Sequence, residues 1–167
     1  MIDRFSDEET YRLNTYNVGN NVVKIEHQAV YIGSGNGDDG GDWLNISRVF
    51  INDNAVYDHK VFGYLPQPTS DEQVLKITLA YPQTVHAKDI IEKHEQYKWQ
   101  ISKMSALEKF FNRKNYLNLT RELKKLEGDY MFIEGIINAT SILKRAELLA
   151  EKKSADLKKP VDQPGSY

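Results

Sequence analysis

The 167-residue sequence contains no cysteine, and this absence narrows the chemistry open to it. Without thiols the chain can form no disulfide, no thiolate metal site and no cysteine nucleophile. The sequence also lacks a run of about 20 apolar residues, the length that a membrane-spanning helix needs. Asp3, Arg4 and Asp7 interrupt the first apolar residues, so no secretory signal peptide is predicted. We therefore expect a cytoplasmic protein with no membrane contact.

Motifs typical of catalysis and of metal binding are missing as well. No Gly-x-Ser-x-Gly occurs, and the four histidines are scattered along the chain. His94-Glu95 lacks the second histidine of a zincin helix, and His86 lies about two helical turns from His94. Active sites can be assembled from distant residues, but nothing local indicates one here. We expect a protein that is not an enzyme and that uses no cofactor and no metal.

Residues 33–42 form the most biased segment, rich in glycine and aspartate. They contain a Gly-x-Gly-x-x-Gly pattern from Gly35 to Gly40, but a dinucleotide site needs a helix directly after it. The sequence after Trp43 alternates like a strand instead. Asp38, Asp39 and Asp42 could attract calcium, yet they lack EF-hand spacing. The prediction is a mobile hairpin loop.

The net charge of −2 hides an uneven distribution along the chain. Residues 1–85 hold 6 Lys/Arg against 12 Asp/Glu, a net charge of −6, whereas residues 86–167 hold 16 against 12, a net charge of +4. An acidic half followed by a basic half indicates two units with different surfaces.

The first half is predicted to be rich in strands. The Ser6-x-x-Glu9 capping box predicts a short helix over residues 7–13, followed by a turn-rich link through residues 14–21. Alternating patterns predict strands within residues 22–32, 43–51 and 74–81, and a β-rich run predicts another within residues 55–65, with a hairpin turn at residues 52–54. Residues 1–83 are therefore expected to form a small antiparallel β-sandwich or barrel with a short N-terminal helix.

The second half is predicted to be helical. Apolar residues recur with an average spacing of 3.5 across residues 84–112, and again from Leu119 to Ile137, with a short turn at residues 112–115. Gly128 and Gly135 fall inside the second stripe and predict either a break near Gly128 or a close helix approach at Gly135. Residues 84–153 are expected to form a long antiparallel helical hairpin with coiled-coil character, and residues 154–167 a flexible tail. The fold class is α+β.

The tip of this hairpin is the candidate contact surface. Cationic and aromatic side chains crowd there, and phosphate or base contacts use such residues: Lys109, Phe110, Phe111, Arg113, Lys114, Tyr116, Arg121, Lys124 and Lys125. Glu108, Glu122 and Glu127 interleave with them, so a solvated helix end is an alternative, and an acidic protein surface would suit the tip equally well.

A small chain rich in Asn, Lys and Tyr and without cysteine resembles the early host-takeover proteins of T-even-type phages, including the Alc-like transcription terminators. In architecture a β-unit followed by a helical hairpin also resembles the epsilon subunit of rotary ATPases. The phage resemblance implies a host protein complex as the partner, with RNA polymerase as the expected target and DNA as a further contact.

Three functions follow from these observations. The first is a non-enzymatic binding protein that docks on a larger cytosolic assembly, as an inhibitor or terminator of host transcription. The second is a structural or oligomeric virion or scaffold protein that self-associates through its helices. The third is a nucleic-acid-binding protein that uses the basic hairpin tip.

Overall fold

The computed structural model of the protein describes residues 10–32, 42–63 and 69–159. The predicted capping box at Ser6, the glycine-rich segment up to residue 41, and residues 160–167 lie outside this part of the chain. Four strands come first: β1 (Thr10–Val18), β2 (Asn21–Ile32), β3 (Asp42–Ile51) and β4 (Asn54–Gly63). Five helices follow: α1 (Asp71–Ala80), α2 (Val85–Lys103), α3 (Ala106–Phe111), α4 (Arg113–Asn138) and α5 (Thr140–Leu157). A 3₁₀ turn (Tyr81–Gln83) separates α1 from α2.

The strands form one antiparallel sheet in the order β1-β2-β3-β4, which confirms the predicted α+β class. The sheet is open rather than closed into a barrel. The predicted turn between β3 and β4 is confirmed, with Asn52 and Asp53 at φ angles of 50° and 65°. Asparagine and aspartate tolerate this left-handed region better than other non-glycine residues, so they suit a tight hairpin.

The structure corrects the prediction for the beginning of the chain. Residues 10–13, predicted as helix, and residues 14–18, predicted as a turn-rich link, together form β1. Each residue of β1 has a partner in β2, from Thr10 opposite Ala29 to Val18 opposite Asn21, and Gly19 (φ 60°) begins the turn between them. A paired backbone ladder therefore outweighs the weak turn preference of the asparagines.

The strand predicted for residues 74–81 is wrong, because the chain forms α1 there. The Ser70 hydroxyl accepts a hydrogen bond from the Gln73 amide (3.2 Å), and the Ser70 amide donates to the Gln73 side chain (3.3 Å). This reciprocal cap, with Asp71 and Glu72 in the first turn, starts a helix. The apolar alternation was misleading, since Val74 and Leu75 are both buried.

Contacts divide the chain into two compact units. The first unit combines Met1–Ile77 with Ser141–Tyr167, so it contains the sheet and α5. Its core includes Val23, Ile25 and Val49 on one face of the sheet. Arg145 of α5 lies near Gly19, and Lys153 Nζ lies 3.4 Å from Asn14 Oδ1, so α5 runs alongside β1.

The second unit spans Thr78–Thr140 and contains the predicted pair of helices. The Thr84 hydroxyl caps α2 by accepting from the Ala87 amide. Ala87 and Ile90 of α2 pack with Ile133 of α4, and His94 stacks on Tyr130 with ring centroids 3.7 Å apart. Because the contacts move backward along α4 as α2 advances, the two helices are antiparallel.

Neither glycine breaks α4, so the predicted break near Gly128 is wrong. The helix continues through Gly128 and Gly135, and the chain leaves it at Ala139. The predicted turn at residues 112–115 shrinks to Asn112 alone between α3 and α4. At the other end, residues 154–157, predicted as flexible tail, continue α5.

Candidate functional site

The predicted contact residues all lie on α3 and the first half of α4, and we call this region, residues 105–125, the tip surface. The first helical run ends at Lys103, and a new capping box at Ser105 starts the six-residue α3. The Ser105 hydroxyl accepts from the Glu108 amide, and the Glu108 carboxylate accepts from the Ser105 amide at 2.8 Å. This cap redirects the chain and places Lys109 and Phe110 next to the start of α4.

The aromatic side chains of α3 are not part of a core. Leu107, Phe110 and Phe111 are 69%, 73% and 79% exposed, and the two phenylalanine rings meet edge to face with centroids 5.5 Å apart. Leu117 on the first turns of α4 is also exposed. Single exposed apolar side chains are ordinary, but several together on one short helix are typical of an interaction surface.

The acidic residues of the tip surface are largely engaged within it. The Glu108 carboxylate is held by its cap, and Glu122 accepts from Lys125 Nζ at 2.9 Å, a contact that lowers the pKa of Glu122. Two cations, Arg113 and Lys114, have no ion pair or hydrogen bond with any residue the structure describes. The interleaved glutamates therefore do not neutralise the start of α4, where no acidic residue occupies the first turn.

A cleft of about 480 Å³ opens on the tip surface. Three asparagines and Arg121 follow one another at intervals of three residues, so each lies next to the following one in a row that winds around the start of α4. Arg121 donates to the Asn118 side-chain oxygen at 3.1 Å. The lining is Phe111, Asn112, Lys114, Asn115, Asn118 and Arg121.

The structure thus brings some predicted residues together and separates others. Lys114 and Arg121 line the cleft, whereas the amine of Lys109 lies over the Tyr116 ring, 5.5 Å from its centroid. The predicted residues Phe110, Arg113, Lys124 and Lys125 belong to the tip surface but do not line the cleft. Asn112, Asn115 and Asn118 were not predicted, although their regular spacing in a largely helical segment was a signal that could have found them.

A second polar cluster lies in the first unit and was not predicted. The register of the sheet places four polar residues in one row across the strands, with His27 opposite both Arg12 and Ser47, and His59 opposite Ser47. Asp71 of α1 is only 7% exposed, and its carboxylate contacts this row at His27.

Both carboxylate oxygens of Asp71 are occupied by donors. One accepts from Asn14 Nδ2 (2.7 Å) and from the Tyr16 hydroxyl, and the other lies 2.8 Å from His27 Nε2 and 3.3 Å from the Arg12 guanidinium. Burial alone would raise the pKa of Asp71, but the hydrogen bonds from His27, Tyr16 and Asn14, with the charge of Arg12, lower it on balance. Burial and the bond to Asp71 raise the pKa of Tyr16.

The chain of contacts continues from His27 Nδ1 to the Ser47 hydroxyl at 3.1 Å. Serine, histidine and aspartate in line are the parts of a nucleophilic relay. Here, however, Ser47 is buried in the middle of β3, and Asp71 already accepts three further donors. The arrangement instead fixes the start of α1 against the sheet, because each buried polar group has a partner.

Within residues 10–32, 42–63 and 69–159, no group of three or more His, Asp or Glu side chains is placed to hold a metal ion. None of the helices in these ranges has an apolar stretch long enough to cross a bilayer. Comparison of the chain with protein-family models, curated proteins and solved structures finds no match.

Proposed function

We propose that this chain is a non-enzymatic binding protein that docks on a larger assembly through the tip surface. The observation that carries the proposal is the exposure of Leu107, Phe110 and Phe111 beside the unpaired cations Arg113 and Lys114. Aromatic residues and arginine are enriched at protein interfaces, and an apolar patch with a charged rim is typical of a docking site.

The charges of the tip surface favour an anionic partner. Residues 105–125 hold six Lys/Arg against two Glu, a net charge of +4, so the field outside the start of α4 is expected to be positive. Such a field speeds association with an acidic protein surface or with phosphates and rejects basic ones. The two exposed phenylalanines are the natural energetic centre of the contact, because buried aromatic anchors dominate binding energy.

The partner that we propose is bacterial RNA polymerase, in the cytoplasm of a phage host. Support for this choice comes from the resemblance of the chain, in size and composition, to early proteins of T-even-type phages. An inhibitor or terminator of transcription has no need of a catalytic centre, because occupancy of the polymerase surface would suffice.

A binding measurement with purified bacterial RNA polymerase tests the proposal. The doubly substituted chain Phe110→Ser/Phe111→Ser should bind at least about 30-fold more weakly than the wild type, the loss typical of a hot spot. Leu148→Ser, which alters an exposed apolar residue of α5, is the matched control and should bind like the wild type. Equal binding by the phenylalanine variant, or no binding by the wild type, would contradict the proposal.

Self-association is the second candidate, and a specific observation favours it. Helix α4 exposes Met131, Phe132 and Ile137 within seven residues. These apolar side chains could meet a second copy of the chain, as in a virion or scaffold protein. Light scattering over a range of concentrations should then show an oligomer that Phe132→Ser converts to monomer. A monomer at every concentration would exclude this role.

A further inference from the structure

We propose that the cleft beside Phe111 binds a single-stranded segment of nucleic acid belonging to the assembly on which the chain docks. This inference rests on the proposed function and names the ligand class at the same surface. Three kinds of group line the cleft, and each matches a different part of a nucleotide.

The first kind is cationic and fits the phosphate backbone. Lys114 and Arg121 both line the cleft, and none of its described lining residues is acidic. Arg121 uses one guanidinium nitrogen on the Asn118 oxygen, which orients the group and leaves further N–H donors for a ligand. Arginine and lysine held in this way neutralise phosphates and release counterions on binding.

The second kind is the ring of Phe111, which fits the face of a base. It is the most exposed phenylalanine among the residues described, and it borders the cleft directly. Bases stack on such rings in proteins that bind single strands, and loss of one ring weakens binding about 5- to 140-fold. A base inside a duplex is already stacked on its neighbours, so this contact selects unpaired strands.

The third kind is the row of amides from Asn112, Asn115 and Asn118, which fits base edges. An amide offers donors and an acceptor together, as the edges of bases require. Asn112 occupies the cap position of α4 without making a side-chain cap bond, and Asn115 has no hydrogen bond to any described side chain. Both amides are therefore available to a ligand. The cleft volume of about 480 Å³ lies in the range of roughly 300–1,000 Å³ of small-ligand sites.

An acidic peptide is the main competing ligand, and it explains less of the lining. Its carboxylates would pair with Lys114 and Arg121, but an acidic peptide would not require contacts from the asparagine row or the exposed ring. A carbohydrate would use the ring and the amides but would leave both cations without a counter-charge. Single-stranded nucleic acid uses all three kinds of group.

Fluorescence anisotropy with a labelled 12-nucleotide single strand of mixed sequence, and with the duplex of the same length, tests the inference in the full chain. The wild type should bind the single strand more tightly than the duplex. Phe111→Leu should lose about 5- to 140-fold in affinity, because it keeps the apolar character and removes the ring. Lys114→Gln/Arg121→Gln should lose two phosphate contacts. Raising the salt from 50 to 200 mM should therefore weaken strand binding by this variant about 7-fold less than it weakens strand binding by the wild type.

Lys88→Gln/Lys98→Gln is the matched control, since it removes the same charge from exposed positions on α2 and should leave binding and its salt dependence unchanged. Circular dichroism checks that every variant is folded. The inference is overturned if the wild type does not bind the strand at 50 mM salt, if the duplex binds equally well, or if the cleft variants behave like the control.

The same variants distinguish failure of the nucleic-acid inference from failure of the docking proposal. If the strand does not bind but Phe110→Ser/Phe111→Ser still abolishes binding to nuclease-treated polymerase, docking stands and an acidic protein surface occupies the cleft. If the strand binds as expected but no variant affects polymerase binding, the nucleic-acid site stands and the proposed docking partner is wrong.

Discussion

At the scale of single residues, Asp71 joins α1 to two strands of the sheet. It accepts hydrogen bonds from β1 and β2 while belonging to α1. Asp71→Asn keeps the shape but turns one acceptor into a donor, which leaves buried donors unsatisfied, and we expect the free energy of unfolding to fall by about 1–3 kcal/mol. Urea unfolding of the wild type and of Asp71→Asn measures this difference in free energy. Asp53→Asn, at an exposed turn position, is the control and should stay within about 0.5 kcal/mol of the wild type.

The same carboxylate should give stability a specific pH dependence. The pKa of Asp71 in the folded chain lies below the ordinary value of an aspartate, so the carboxylate stays ionised to a lower pH in the folded state than in the unfolded state. Its contribution is complete above about pH 5 and disappears as pH falls through the lowered pKa. The difference in unfolding free energy between wild type and Asp71→Asn should therefore be constant from pH 7 to 5 and shrink below pH 4. A difference that shrinks already between pH 7 and 5 would contradict this assignment to Asp71.

At the scale of elements, replacing Gly128 in α4 and Gly19 in the turn after β1 by alanine should change stability in opposite directions. A Cβ at Gly128 would meet no atom within 4 Å beyond the neighbouring backbone of α4, so Gly128→Ala should stabilise the chain by about 0.4–1 kcal/mol. Gly19 has φ +60°, and Gly19→Ala should destabilise it by about 1–2 kcal/mol. Thermal unfolding of both variants gives the comparison, and a lower midpoint for Gly128→Ala would mean that α4 is not regular at that point.

The elements also show how much the sequence alone could reveal. The strong 3.5-residue stripes predicted α2 and α4, alternation predicted β2 and β3, and the β-rich composition of residues 55–65 predicted β4. The failure at α1 came from trusting the alternation of Leu75 and Ile77 over the cap at Ser70, which was visible in the sequence. Position on the tip surface was predictable from charge, but the engagement of Glu108 and Glu122 was not. The row of His27 and Ser47 could not be predicted, since it depends on strand register.

At the scale of the whole molecule, α5 should stabilise the sheet although it ends the described chain. Leu143, on its buried side, is completely inaccessible to solvent, whereas Leu148 is exposed. Leu143→Ala should cost about 2–5 kcal/mol and Leu148→Ala less than about 0.5 kcal/mol. Hydrogen exchange should show faster exchange in β1–β4 for Leu143→Ala, with α2 and α4 less affected. Equal loss of protection in both units would show that they unfold together.

The position of α5 beside β1 also has a consequence for the order in which the chain folds during synthesis on the ribosome. Lys153 and Asn14, which meet in the folded chain, are 139 residues apart, so this contact cannot form until Lys153 has been synthesised and has left the ribosome. The α2–α4 pair, built from neighbouring segments, has low contact order and can form earlier. We expect protease pulses on stalled nascent chains to find residues 78–140 protected before the sheet. Protection of the sheet in chains that stop before α5 would refute this order of folding.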